Sequence, residues 1–197
     1  MSLLNDHICL RIVNTTYQVN LNKNFDLKKL FLRLNNKLSY DPRKFSGVIF
    51  PKVLKRAPKE RKKKFIERKK RQGVGKILVF PNGKLIISGC HNKKEAMNRL
   101  SDLMLLIFEP YEITAFKLLN YVVCADAERS LNLDSMFEKV GHWKTLEYEL
   151  FPALILKRER ISYTLFRSGK IFATGLTSEN DYFIVRSYLK ELLSLKC

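Results

Sequence analysis

Two stretches of the chain, "VFPNGKLIISG" at 79–89 and "LFRSGKIFATG" at 165–175, follow one plan. Each places a phenylalanine before a turn (Phe80, Phe166), a glycine–lysine pair in it (Gly83–Lys84, Gly169–Lys170), and then a strand ending on glycine. A glycine-centred turn followed by alternating apolar and small residues is a hairpin signal. A polar residue would be cheaper before the turn, yet phenylalanine stands there twice. A supersecondary unit repeated in such detail restricts the chain to a fold built from two copies of one plan.

The repeat extends well beyond the hairpins. "KFSGVIF" (44–50) precedes the first and "LFPALIL" (150–156) the second, each a phenylalanine leading into a short apolar strand. Phe45 and Phe80 are 35 positions apart, against 15 for Phe151 and Phe166, so one copy carries an insertion of 20 residues. "LRIVNTTYQV" (10–19) and "LNYVVCADAE" (119–128) read as β-rich strands. "FDLKKLFLRLNN" (25–36) and "LDSMFEKVG" (133–141) read as short helices, with Asp26 and Asp134 as caps and Gly141 as the second terminator. A longer helix follows each hairpin. In 91–107 the stripe Ala96, Leu100, Leu103 and Ile107 shares one face. In 177–195 Ser178 and Asp181 form the cap, and Ile184, Tyr188 and Leu192 the buried stripe. The predicted domains are therefore 1–112, with a basic insertion at about 51–75, and 113–197.

Helices on one face of an antiparallel sheet leave its other face open. After the turns that face carries Ile86 and Ser88 in one copy and Phe172 and Thr174 in the other, none of them charged. A surface so apolar is expected to bind something.

Charge indicates what. Lys and Arg number 37 against 19 acids in 197 residues, a net +18. Residues 51–72 hold twelve Lys or Arg and two Glu, a local +10 that leaves +8 on the remainder. A basic globular protein of this kind meets a polyanion, nucleic acid first. No apolar run approaches the ~20 residues of a membrane span, and "MSLLNDHICLRIV" lacks a signal peptide's pattern. The protein is expected to be soluble and intracellular. Cys9, Cys90, Cys124 and Cys197 are scattered and read as buried reduced thiols. His7, His91 and His142 have no metal or triad spacing, and Trp143 reads as packing. "GVGKIL" (73–78) fails as a phosphate loop, because the spacing is wrong and a strand follows. Nothing calls for catalysis, a cofactor, a metal or a small-molecule substrate.

The segments "DPRKFSGVIF", "ILVFPNGKLIISG", "LLNYVV", "YELFPALIL" and "TLFRSGKIFATG" together resemble the TATA-box-binding protein family, over nearly the whole chain outside 51–75. The resemblance implies an α+β fold: a pseudo-two-fold saddle of curved antiparallel β-sheet with helices on the convex face. It implies that the concave face lies in the DNA minor groove and that Phe45 with Phe80, and Phe151 with Phe166, wedge into base steps. Core packing is the alternative use for these rings. By matching positions, the resemblance assigns base edges to Arg11, Val13, Leu78, Ile86, Ser88, Asn120, Val122, Thr164, Phe172 and Thr174. Asn and Thr suit the minor groove of A·T pairs, which offers acceptors. Arg11 stands where the family pattern has Asn, Thr164 where it has Leu, and Phe172 where it has Val. Lys84 and Lys170 are the expected phosphate contacts, with Arg43, Lys44 and Lys157 beside them.

Glu147, Glu149 and Leu150, just before Phe151, match the family's contact for transcription factor IIB. The implied partners are double-stranded, A/T-rich promoter DNA, a factor IIB-like protein and the RNA polymerase machinery. The basic tract reads as a solvated loop, an extra phosphate contact or a nuclear-import signal. The resulting expectation is a transcription initiation factor that bends DNA, working in the nucleus or, if virus-encoded, in a cytoplasmic viral factory. Lys-, Asn- and Leu-rich usage points to a fast-diverging lineage such as a large DNA virus. The competing readings are a protein-interaction or regulatory module with altered or absent TATA specificity, and an enzyme using the same scaffold as a platform.

Overall fold

The computed structural model describes residues 8–34, 38–51, 75–108, 110–141, 144–147 and 151–194. The elements run β1 (Leu10–Leu21), α1 (Leu27–Arg33), β2 (Val48–Pro51), β3 (Lys76–Val79), β4 (Lys84–Cys90), α2 (Lys93–Ile107) and β5 (Ile113–Asp126). There follow α3 (Leu133–Lys139), β6 (Lys144–Glu147), β7 (Phe151–Arg158), β8 (Ile161–Phe166), β9 (Lys170–Leu176) and α4 (Glu179–Ser194). The fold is α+β, with every strand pairing antiparallel where a register is defined.

The chain divides into two compact units. One, here the first-repeat unit, is Asn14–Leu119; the other, the second-repeat unit, is Met1–Val13 with Asn120–Cys197. Strand order is β2-β3-β4-β1-β5 in the first-repeat unit and β1-β5-β9-β8-β7-β6 in the second, with β1 and β5 contributing residues to both.

The two-residue period of a strand sorts each sheet into a core face and an open face. In the first-repeat unit the cross-strand row Val48–Val79–Leu85–Val19 is wholly buried, each residue at 0% exposure. In the second, Leu154–Leu165–Ile171–Ala125 is the counterpart, at 0–1%. Helices close over these rows. α2 buries Ala96, Leu100, Leu103 and Ile107, the expected stripe. Leu100, Leu103 and Ile107 each contribute about 1.5–3 kcal/mol of transfer free energy.

Helix α4 departs from expectation. Its buried residues include Val185, Tyr188, Leu189 and Leu192, whereas Ile184 is 41% exposed. Tyr188 and Leu192 are buried as expected, Val185 takes the place of Ile184, and Tyr188 seats its ring 4.6 Å from that of Tyr163. Burial pushes both phenols up to about 12. The α3 cap also differs. Asn132, not Asp134, accepts the Ser135 N–H, and Asp134 sits in the first turn, where its charge still suits the helix dipole. Helix α3 ends at Val140 in an extended conformation, so Gly141 is not used as a left-handed terminator. Asp26 caps α1 as expected, accepting from Lys29 N–H at 3.0 Å.

Each long helix carries an acid in its first turn, five residues past the preceding strand, but the two acids are satisfied differently. Asp181 is fully buried and accepts from the Thr177 and Ser178 N–H groups at 2.7 and 3.0 Å and from Arg160. Glu95 accepts from the His91 N–H at 2.9 Å and from Arg99 of its own helix at 2.6 Å. Burial alone would raise the Asp181 pKa; the two backbone donors and Arg160 outweigh it and hold the carboxyl below 3.8. A depressed carboxyl contributes stability that is present above its unfolded value and lost as pH falls through the folded one. Asp181→Ala is expected to cost about 1–3 kcal/mol at pH 7, from the lost cap and the orphaned donors. Urea titrations of both proteins from pH 7 downward should show that gap shrinking below 3.8.

Candidate nucleic-acid interface

Both hairpin phenylalanines have ring partners, and the pairs match. Phe45 and Phe80 have centroids 5.5 Å apart at 66°; Phe151 and Phe166 are 5.8 Å apart at 73°. Edge-to-face geometry of this kind is favourable between aromatic rings. Val79 and Leu165, the preceding residues, belong to the core rows, so alternation turns Phe80 and Phe166 to the open face. Phe151 is 43% exposed, and the other three rings are half-buried. None joins the buried core.

Local constraints fix these rings. Phe45 ends a turn in which its N–H and that of Lys44 donate to the Asp41 carbonyl, both at 3.0 Å. A side chain at Gly47 would meet Phe45 Cε1 at 2.7 Å, so glycine leaves the ring its space. At the turns, Gly83 and Gly169 have φ of 77° and 90°, and their N–H groups donate to Phe80 O and Phe166 O. A Cβ there would lie 2.1 Å from Lys23 O or 2.3 Å from Arg129 O. Glycine is required by both torsion and space.

The open-face rows cross the strands beside the phenylalanine pairs. Ile49–Leu78–Ile86–Gln18 crosses the first-repeat unit, and Ile155–Thr164–Phe172–Cys124 crosses the second in the same register. The predicted face residues Leu78, Ile86, Ser88, Asn120, Val122, Thr164, Phe172 and Thr174 are all half-buried. Phe172 touches Phe166 edge-on, 6.0 Å apart at 87°. Thr174 Oγ1 donates to Ser162 O at 3.4 Å and Ser88 Oγ to Lys76 O at 3.3 Å. Behind the end of β4, Arg99 donates to Ser88 O and Gly89 O at 2.8 and 2.6 Å, tying that edge to α2.

Strand β1 differs from expectation. Thr15 pairs with Cys90 and Tyr17 with Ile87, across a bulge. Tyr121 pairs with Leu176 and Val123 with Ala173, across the corresponding bulge. Equivalent residues on β1 and β5 are therefore 106 apart, which matches Asn14 to Asn120 and Thr16 to Val122. Arg11 and Val13 belong to the second-repeat unit and are not the first-repeat counterparts of Asn120 and Val122. Arg11 is exposed and acts on the Cys124 thiol of that unit. The signal was available. Asn14 precedes Leu27, and Asn120 precedes Leu133, by the same 13 residues. Asn14 Oδ1 accepts the Gly89 N–H at 2.9 Å, whereas Asn120 Oδ1 is buried with no partner among the described residues.

The cations lie near the hairpin ends. Lys84 is half-buried and Lys170, Lys157, Arg43 and Lys44 are exposed. Arg43 and Lys44 both pair with Asp41, at 3.7 and 3.6 Å. Pairs this exposed are weak and readily exchanged. Glu147 pairs with Phe151 in the β6–β7 register. Glu149 and Leu150 lie outside the described residues, as do His7, His142, Trp143, Cys197 and the basic tract 52–72. Cys90 is buried as expected, but Cys9 is exposed and Cys124 half-buried on the open face. Burial pushes the Cys124 thiol up against the pull of Arg11 and Lys170. Among the described residues no cluster of His, Cys, Asp and Glu has the makings of a metal site, and no helix is long and apolar enough to cross a membrane.

Comparison with known proteins agrees with this plan. The family model for "Transcription factor TFIID (or TATA-binding protein, TBP)" matches residues 9–109 and again 115–194. The TATA-box-binding protein of Spodoptera frugiperda is 26% identical over 194 residues, covering 92% of this chain and 57% of that protein. The chain thus spans little more than half the length of that relative. TATA-box-binding protein 1 of Triticum aestivum is 28% identical over 190 residues, with 90% and 73% covered. The solved structure of Methanococcus jannaschii TBP superposes with a TM-score of 0.72 at 23% identity, over 93% of this chain and 97% of that one, which establishes the fold. With the family model matched over 9–109 and 115–194, most of the chain's residues, the chain belongs to the TATA-binding protein family of transcription factors.

Proposed function

We propose that the chain is a transcription initiation factor that binds promoter DNA in the minor groove through its open sheet faces and kinks it with Phe45–Phe80 and Phe151–Phe166. The observation that carries this reading is the recurrence of one ring pair, with one glycine–lysine turn beside it, on the helix-free face of each unit. Unstacking a base step costs a few kcal/mol, a cost established for minor-groove proteins including this family. A flat apolar ring replaces part of the lost stacking, which a polar side chain does not.

Half-buried Leu78, Ile86, Val122 and Thr174 supply a face that fits the groove floor. Asn14 and Asn120 add amide donors for the acceptors of A·T pairs. Arg11 adds an exposed cation suited to a narrow A/T-rich groove. Lys84 and Lys170 reach phosphates beside each wedge, with Arg43, Lys44 and Lys157 near them. By the family resemblance, Glu147, Glu149 and Leu150 are the residues for a factor IIB-like partner, which brings in the polymerase machinery. The relatives' names and the basic charge support work in the nucleus. The basic tract adds phosphate contacts outside the core site.

Selection from random duplex DNA should enrich A/T-rich sites; recovery of no sequence above background, with no measurable binding, contradicts the reading. On a selected site, Lys84→Ala and Lys170→Ala should each weaken binding across sequences and lower the salt slope by about 1. Deleting 52–72 should reduce affinity and flatten the slope further. Unchanged binding at every salt concentration removes the tract from the interface.

A further inference from the structure

The two open-face rows share a register but differ in polarity. Ile49 and Ile155 open them, and the third place is apolar in both, Ile86 and Phe172. The second place holds Leu78 in one row and Thr164 in the other. Each stands two residues before the wedge ring of its own strand, Phe80 or Phe166, so the two places match. Thr164 lies between buried Tyr163 and Leu165, and alternation turns it to the open face, where it is half-buried. Its hydroxyl has no hydrogen-bond partner among the described residues. On β4 and β9, by contrast, the hydroxyls are engaged and matched between the copies. Ser88 donates to Lys76 O at 3.3 Å and Thr174 to Ser162 O at 3.4 Å. In the minor groove an A·T pair offers only acceptors, whereas a G·C pair adds the guanine 2-amino donor. Leu78 has no polar atom for that amino group. Closing the interface over it strips its water and leaves an N–H unpaired, which is costly. A threonine hydroxyl carries one donor and two acceptor lone pairs, and it rotates to suit. Against A·T it donates; against G·C it accepts from the amino group.

We propose that Thr164 is a specificity-determining residue, which admits a G·C pair at the place in the second-repeat half-site where Leu78 excludes one from the first. This rests on the reading of the open faces as a DNA interface. The duplex that fits is A/T-rich with one G·C-tolerant pair beside the second-repeat wedge. The tolerance comes from a single hydrogen bond between the Thr164 hydroxyl and the guanine 2-amino group, and it is absent from the matching pair under Leu78.

The test is sequencing of duplexes selected by the full chain and by two variants, Thr164→Val and Leu78→Thr. Affinities are then measured on matched duplexes carrying A·T, G·C or inosine·C at the pair that accepts G·C. Inosine lacks the 2-amino group, so inosine·C presents the A·T pattern of acceptors in the minor groove. Wild type should return G·C at one pair inside an A/T-rich site and bind the three duplexes with similar affinity. Thr164→Val keeps the shape of the side chain and removes the hydroxyl. It should bind G·C about fivefold or more weakly than A·T, the lower range of one mismatched base pair, and inosine·C as well as A·T. Leu78→Thr should admit G·C at the matching pair of the other half. Both changes are small and lie on the open face, and circular dichroism confirms each fold. Acceptance of G·C at the same pair by Thr164→Val, or its absence from wild-type sites, overturns the proposal while DNA binding stands. A G·C penalty in Thr164→Val that inosine does not relieve overturns it too, because the amino group is then not what the hydroxyl meets. Absence of binding by wild type overturns the DNA reading, and this proposal with it.

Discussion

Strand alternation is the constraint on which the rest of this structure depends. In each unit one parity of each strand supplies a row at 0–1% exposure, and the other parity supplies the open face. A slip of one residue would send Leu165 to solvent and Phe166 to the core. The buried rows therefore determine where the phenylalanines emerge. The turn glycines then fix how the chain leaves the strand, because Gly83 and Gly169 approach a backbone carbonyl too closely for any side chain. Placement of the proposed wedges follows from core packing and turn chemistry, before any ligand is considered.

The duplication also shows where two copies have kept a function by different means. The acid at the start of each long helix is retained, but its cation comes from the β7–β8 turn in one unit (Arg160) and from the helix itself in the other (Arg99). Arg99 occupies the space beside Gly75, where a Cβ would fall 1.7 Å from its guanidinium. That turn position in the first copy is also where the basic insertion rejoins the sheet. The open face diverged similarly, with Phe172 in one copy and Ile86 in the other at one register position.

Much of this was legible in the sequence. Repeated hairpins, four paired phenylalanines and the α2 stripe are signals of local periodicity and spacing, and each appears where it was expected. The misplacements share a physical cause: they depend on register or rotation, which local pattern does not fix. Both Ile184 and Val185 satisfy a helical stripe, and only packing against the sheet, with Tyr188 on Tyr163, selects Val185. The resemblance places Arg11 where the family pattern has Asn, but bulges in β1 and β5 set the pairing so that Asn14 is the counterpart of Asn120. Counting from the helix that follows each strand recovers the match, because the helix start is anchored by a cap and the strand's apolar run is not.

The central claim is that the open faces hold DNA in a kinked form. Energy transfer between dyes at the two ends of a selected duplex reads this directly. Saturating protein should shorten the end-to-end distance well below that of free DNA. An unchanged distance at full occupancy would contradict the account, because apolar rings that do not open a base step would have no place in the groove.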